Sequence, residues 1–146
     1  MSKTTKPVHR IVRGAFRCHL GRFPSVTNGL NELESATLAA LRREPRDFGA
    51  LFRDVTAHPR VRRHGMGDVQ FAAAVRGLAP LVRAVGGDVM EAELEITQLG
   101  RDVVAGDTDW LGVRPIDTWL GGVRLVEGRP LWRWDGAFGR LVRAPA

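Results

Sequence analysis

With 146 residues, 44% of them hydrophobic, the chain is long enough to bury one core without disulfide or metal staples, so a single domain spanning 1–146 is expected. The lone cysteine, Cys18, excludes an internal disulfide, and no apolar run approaches the ~18 residues of a membrane span, so a soluble cytoplasmic protein is expected. The formal charge of +6 is uneven: residues 1–30 hold six basic residues and no acid, residues 31–90 nine arginines against seven acids, and residues 91–146 seven against nine. Such asymmetry points to an anionic partner.

From Val8 to Leu20, the residues Val8, Val12, Ala15, Phe16 and Leu20 recur at helical spacing, while Lys6, Arg10, Arg13 and Arg17 follow the same period on another side. This predicts a basic amphipathic helix within residues 1–22. A targeting helix has a similar pattern, but this one runs straight into loop and core residues. Pro24 and Asn28-Gly29 then mark a loop.

Three short helices should follow. Asn31 with Glu34 forms a capping-box signature ahead of Leu33, Ala36, Thr37, Ala40 and Leu41. Asp47 can cap the second helix, whose Phe48, Leu51, Phe52 and Val55 share a face. His58-Pro59 ends it, and the arginine-rich loop HPRVRRHGMG leads to Asp68, which can cap a third helix with Phe71, Ala74, Val75 and Leu78 inward. After Gly86-Gly87, the alternation of Glu91, Glu93 and Glu95 with Ala92, Leu94 and Ile96 predicts a strand with one wet face. Thr97 then caps a further helix.

The tail returns to strand-like patterning. A hairpin is expected around Glu127-Gly128, with Val123, Leu125 and Leu131 inward and Trp132 and Trp134 on one face. Trp119, Leu120 and Val123 should plug the core, and Gly121-Gly122 should allow a tight bend or close backbone approach. The expected fold is mainly α with a small β-sheet (α+β). Its order suggests a winged helix-turn-helix: a core at 30–106, the basic N-terminal helix, and a Trp-rich hairpin extension at 109–136.

The blocks FPSVTNGLNELE, GDVQF, ITQLGRDVVAG, IDTWLGG and WRWD resemble the C-terminal, winged-helix-like region of a group of uncharacterised bacterial proteins. The resemblance spans about Leu20 to Asp135 and implies no known activity. ITQLGRDVVAG is separately similar to the segment after the third helix in many winged-helix regulators, which bears on fold rather than function.

Catalytic signatures are lacking. His9, His19, His58 and His64 are not at metal-ligand spacing, and Ser2, Ser25 and Ser35 lie outside any nucleophile elbow. Asp109, Asp117 and Asp135 each neighbour a tryptophan, where turn capping is the ordinary role. No cofactor or metal is expected. The pattern instead suggests a non-enzymatic DNA-binding protein, with transcriptional regulation as the expected role, that engages phosphates through Arg10, Arg13, Arg17, Arg60, Arg62 and Arg63. Gln70 and Arg76 are the outward third-helix groups able to meet base edges, alongside Ala72, Ala73 and Gly77, which cannot. The alternative is a protein-interaction module using Trp132, Arg133 and Trp134. A homodimer is expected to cover the apolar side of the first helix.

Overall fold

The computed structural model describes residues 5–145, with side chains from Ile11 onward, and is a mixed α+β structure. Helix α1 (Thr5–Leu20) leads through a loop to α2 (Glu32–Arg43), a two-residue strand β1 (Arg46–Asp47), α3 (Phe48–Ala57), a 3-10 turn at Arg62–His64 and α4 (Asp68–Gly77). Strands β2 (Val82–Val85) and β3 (Glu93–Ile96) follow, then α5 (Gln98–Ala105) and α6 (Trp110–Val113). Two hairpins close the chain: β4 (Asp117–Leu120) with β5 (Val123–Val126), and β6 (Leu131–Asp135) with β7 (Arg140–Ala144).

Local signals set most helix starts. The Asn31 side chain accepts from the Glu34 N–H at 2.9 Å while Glu34 accepts from the Asn31 N–H at 2.9 Å, satisfying two otherwise orphaned donors. Asp47 caps α3 and Thr97 caps α5 with a single bond each, their side chains accepting from the Ala50 and Gly100 N–H groups. Helix α4 departs from expectation. Gly67 is its cap residue and Asp68 its first helical residue; the Gln70 carboxamide oxygen accepts from the Gly67 N–H at 3.2 Å.

Strands β1, β3 and β2 form an antiparallel sheet in that spatial order, with Arg46 opposite Leu94 and Ala84 opposite Leu94 on the other side. The strand expected from Glu91 begins only at Glu93, because Glu91 and Ala92 donate their N–H groups back to the Asp88 carbonyl and turn the chain. The wet-face reading holds from there: Leu94 is fully buried and Glu93 exposed.

The main core joins Leu38 and Leu41 of α2, Phe48, Leu51 and Val55 of α3, and Phe71 and Val75 of α4 to Leu94, Val103 and Trp110. Ala72, expected outward, is also fully buried. A second core holds Phe23, Leu125 and Trp134, with Leu20, Ile116, Leu120, Leu131 and Leu141 against it. Its backbone frame is a short parallel pairing: Trp134 donates to the Pro24 carbonyl at 2.8 Å, and Val26 donates to the Trp134 carbonyl at 3.0 Å.

The C-terminal expectations need two corrections. The hairpin turn lies at Gly121-Gly122, not Glu127-Gly128: both glycines have positive φ, 54° and 79°, which the twist of a two-residue hairpin demands. Glu127-Gly128 instead connects the two hairpins. The shift in register also turns Trp119 and Val123 outward, to 66% and 39% exposure, so neither plugs the core; Trp110 and Trp134 are the buried tryptophans.

Asn28 is the main buried polar group. Its amide donates to the Val103 carbonyl at 3.1 Å, its oxygen accepts from the Leu30 N–H and the Ser25 hydroxyl, and its own carbonyl accepts from the Trp110 N–H. Asn28 thereby fastens the loop after α1 to α5 through its side chain and to α6 through its backbone carbonyl.

Candidate nucleic-acid interface

The last turns of α1 lie beside the arginine-rich 58–64 segment. Its shape comes from backbone bonds of Val61 and Arg62 to the His58 carbonyl and from the buried Val61 side chain, which together leave Arg60, Arg62 and Arg63 on the outside. A depression of about 180 Å³ is lined by Arg17, Arg60 and Arg63 together with Cys18, Glu32 and Pro59. Adjoining it, a shallower one of about 650 Å³ shares Cys18 and Arg63 and adds His19 and Arg22. Four guanidinium groups thus border one continuous surface. Among the described residues, Arg13, Arg17, Arg22, Arg60, Arg62 and Arg63 make no ion pair.

Beneath this surface the His64 Nδ1 lies 3.4 Å from the Cys18 thiol sulfur. Burial, and then the positive charge of Arg22, hold the His64 imidazole below its ordinary pKa, with Glu32 opposing in part. A neutral imidazole at the floor adds no charge of its own at neutral pH.

The sequence-predicted residues divide. Arg17, Arg60 and Arg63 come together; Arg13, one turn before Arg17, and Arg62 are exposed beside them. The Arg10 side chain lies outside the described residues. Gln70 is exposed but its carbonyl oxygen is committed to the start of α4. Arg76 forks onto Asp88, at 3.2 and 2.5 Å, so its charge is matched across α4 and the β2–β3 connection. That pairing pulls the Asp88 carboxyl below its ordinary range and pushes the Arg76 guanidinium above its own. Asp68 at the start of α4, Glu91 in the β2–β3 connection and Glu93 in β3 are exposed as well.

No family model, curated protein or solved structure matches this chain. The residues themselves therefore carry the functional argument.

On the hairpins, Trp132 is 37% exposed and Trp134 only 7%. Arg133 is drawn inward between them, its guanidinium 2.5 Å from Asp109 and 3.4 Å from the Ser25 carbonyl. This is an internal clamp more than a docking surface. Asp109 and Asp135 do cap turns as expected, whereas Asp117 forms a two-pronged pair with Arg124 across β4 and β5, at 3.0 and 2.9 Å. Sequence reasoning passed over Arg22 and His64 as site residues. Arg22 follows Arg17 by five positions, beyond the end of α1, and only the turn at Gly21 returns it to the same side. Among the described residues, no group of three or more His, Cys, Asp or Glu is arranged to hold a metal, and no helix is long and apolar enough to cross a membrane.

Proposed function

We propose that this chain is a non-enzymatic winged helix-turn-helix protein that binds double-stranded DNA mainly through phosphates. The observation that carries the reading is the arginine surface of Arg17, Arg22, Arg60 and Arg63, free of ion pairs among the described residues. Unpaired guanidinium groups are what a phosphate backbone recruits, because each contact releases condensed counterions. The order α2-β1-α3-α4-β2-β3 with sheet order β1-β3-β2 supports the winged-helix assignment, with α4 in the recognition position and the β2–β3 connection as wing.

Within that fold the contact is displaced. On the outer side of α4 Arg76 is already matched by Asp88 and the Gln70 carbonyl is committed to the helix start, so this helix offers little to base edges. Binding through α1 and the 58–64 segment is correspondingly indifferent to sequence.

The test is a salt titration of duplex affinity. Changing Arg17, Arg60 and Arg63 together to Ala should weaken two unrelated duplexes by the same factor and reduce the magnitude of the log–log salt slope by about 0.9 per lost contact. Wild type without salt-sensitive binding at low ionic strength refutes the proposal. The second reading, a protein-interaction module, is favoured by Trp119 and Phe138, exposed to 66% and 75% on the hairpins.

A further inference from the structure

We infer that the cleft between α2, α4 and the α6–β4 segment is a binding site for a small organic anion with an apolar body, whose charged group is held by Arg22. The cleft measures about 780 Å³, within the range of small-molecule sites. Leu33, Trp110, Ile116 and Leu120 supply its apolar lining.

The choice of an anion follows from which charged groups are already engaged. Asp117 lines the cleft but is matched by Arg124. The Glu34 carboxylate accepts from the Asn31 N–H at 2.9 Å, so it is committed to the start of α2. Arg114 donates to the Gly77 carbonyl, fastening the α6–β4 segment to the end of α4. Two donors remain. Arg22 has no ion pair among the described residues, and the buried His64 Nε2 has no hydrogen-bond partner. Both residues line the cleft, and the charge of Arg22 is felt at His64. An unpaired guanidinium beside an apolar wall suits a carboxylate, sulfonate or phosphate ester on a hydrophobic frame, and disfavours a cation.

Calorimetric titration of the full chain with 2-naphthoate, and with its neutral analogue 2-naphthylmethanol, tests this without nucleic acid. Its outcome is therefore independent of the DNA reading. We expect saturable one-to-one binding of the acid, about tenfold or more weaker binding of the alcohol, and a similar loss of acid affinity in Arg22→Gln, since a charge-assisted hydrogen bond is at stake. Gly77→Leu provides a second test. A side chain there meets nothing closer than the Arg114 guanidinium at 3.9 Å, so it enters the cleft at a helical position without a clash at Cβ, and should abolish binding. Absence of saturation, or full affinity in Gly77→Leu, overturns the site. Equal affinity for acid and alcohol, or for wild type and Arg22→Gln, overturns the anion assignment.

Discussion

Replacing Phe71 with Ala probes the joint on which the helical core turns. The Phe71 ring is fully buried, with centroids 5.7 Å from Phe48 and 5.6 Å from Phe52, so it links α3 to α4 through two tilted aromatic contacts. Truncation removes the ring and leaves a space walled by fixed helices, for which Phe-to-Ala changes cost about 3–5 kcal/mol. The upper part of that range is expected here, because the two neighbouring rings lose their geometry as well as their contact area. At about 3 °C per kcal/mol for a chain near this length, the melting temperature should fall by about 12 °C. Urea titration followed by circular dichroism measures the free energy directly, and an unchanged m value would show that the transition still exposes the same surface. A loss below about 1 kcal/mol would refute the placement of Phe71 at the centre of the core.

Further outcomes follow from other contacts. Gly100→Ala would set a Cβ 2.5 Å from the Leu81 carbonyl oxygen, so it should destabilise by about 1–3 kcal/mol in urea melts, and an unchanged midpoint would contradict the packing of α5 on that carbonyl. His64 has a depressed pKa in the folded state, so as pH falls through 6.5 the unfolded chain takes up a proton first and stability declines. The urea midpoint should therefore drop more from about pH 7.5 to about pH 5.5 in wild type than in His64→Asn, and equal drops would reject that origin. Ile11, Val12 and Phe16 are 71%, 58% and 64% exposed, so the expected homodimer would use this side of α1. Sedimentation should give a dimer for wild type and a monomer for Phe16→Glu; a wild-type monomer at high micromolar concentration would reject the dimer.

What could be read from the sequence was what is decided within one turn of chain. Asn31 with Glu34, Asp47 and Thr97 announce helix starts because each satisfies a backbone donor two or three residues away. Strand β1 left no pattern, since two residues cannot display an alternation, and it exists only because β3 offers an edge to Arg46 and Asp47. The hairpins were misregistered for a related reason. Glu127-Gly128 and Gly121-Gly122 are both plausible turns locally, and the choice depends on Leu125 meeting Phe23 and Trp134, a contact remote in sequence. At the basic surface the residue type was legible but pairing was not. Arg63 and Arg76 look alike in a string, and the difference between them is Asp88, held at the right distance by the turn before β3.

The annealing of β6 onto residues 24–26 also bears on how the protein is made. Phe23 and Ser25 are synthesised early, yet the strand that covers them arrives about a hundred residues later; the Arg133–Ser25 contact alone spans 108 positions. The Asn28 to Val103 bond spans 75. By contrast, Phe48, Phe52 and Phe71 meet within a window that leaves the ribosome together. The helical core can therefore condense while translation continues, whereas the base of α1 stays uncovered until the hairpins emerge. A nascent chain stalled before Leu131 would present Phe23 to solvent, and so to chaperones.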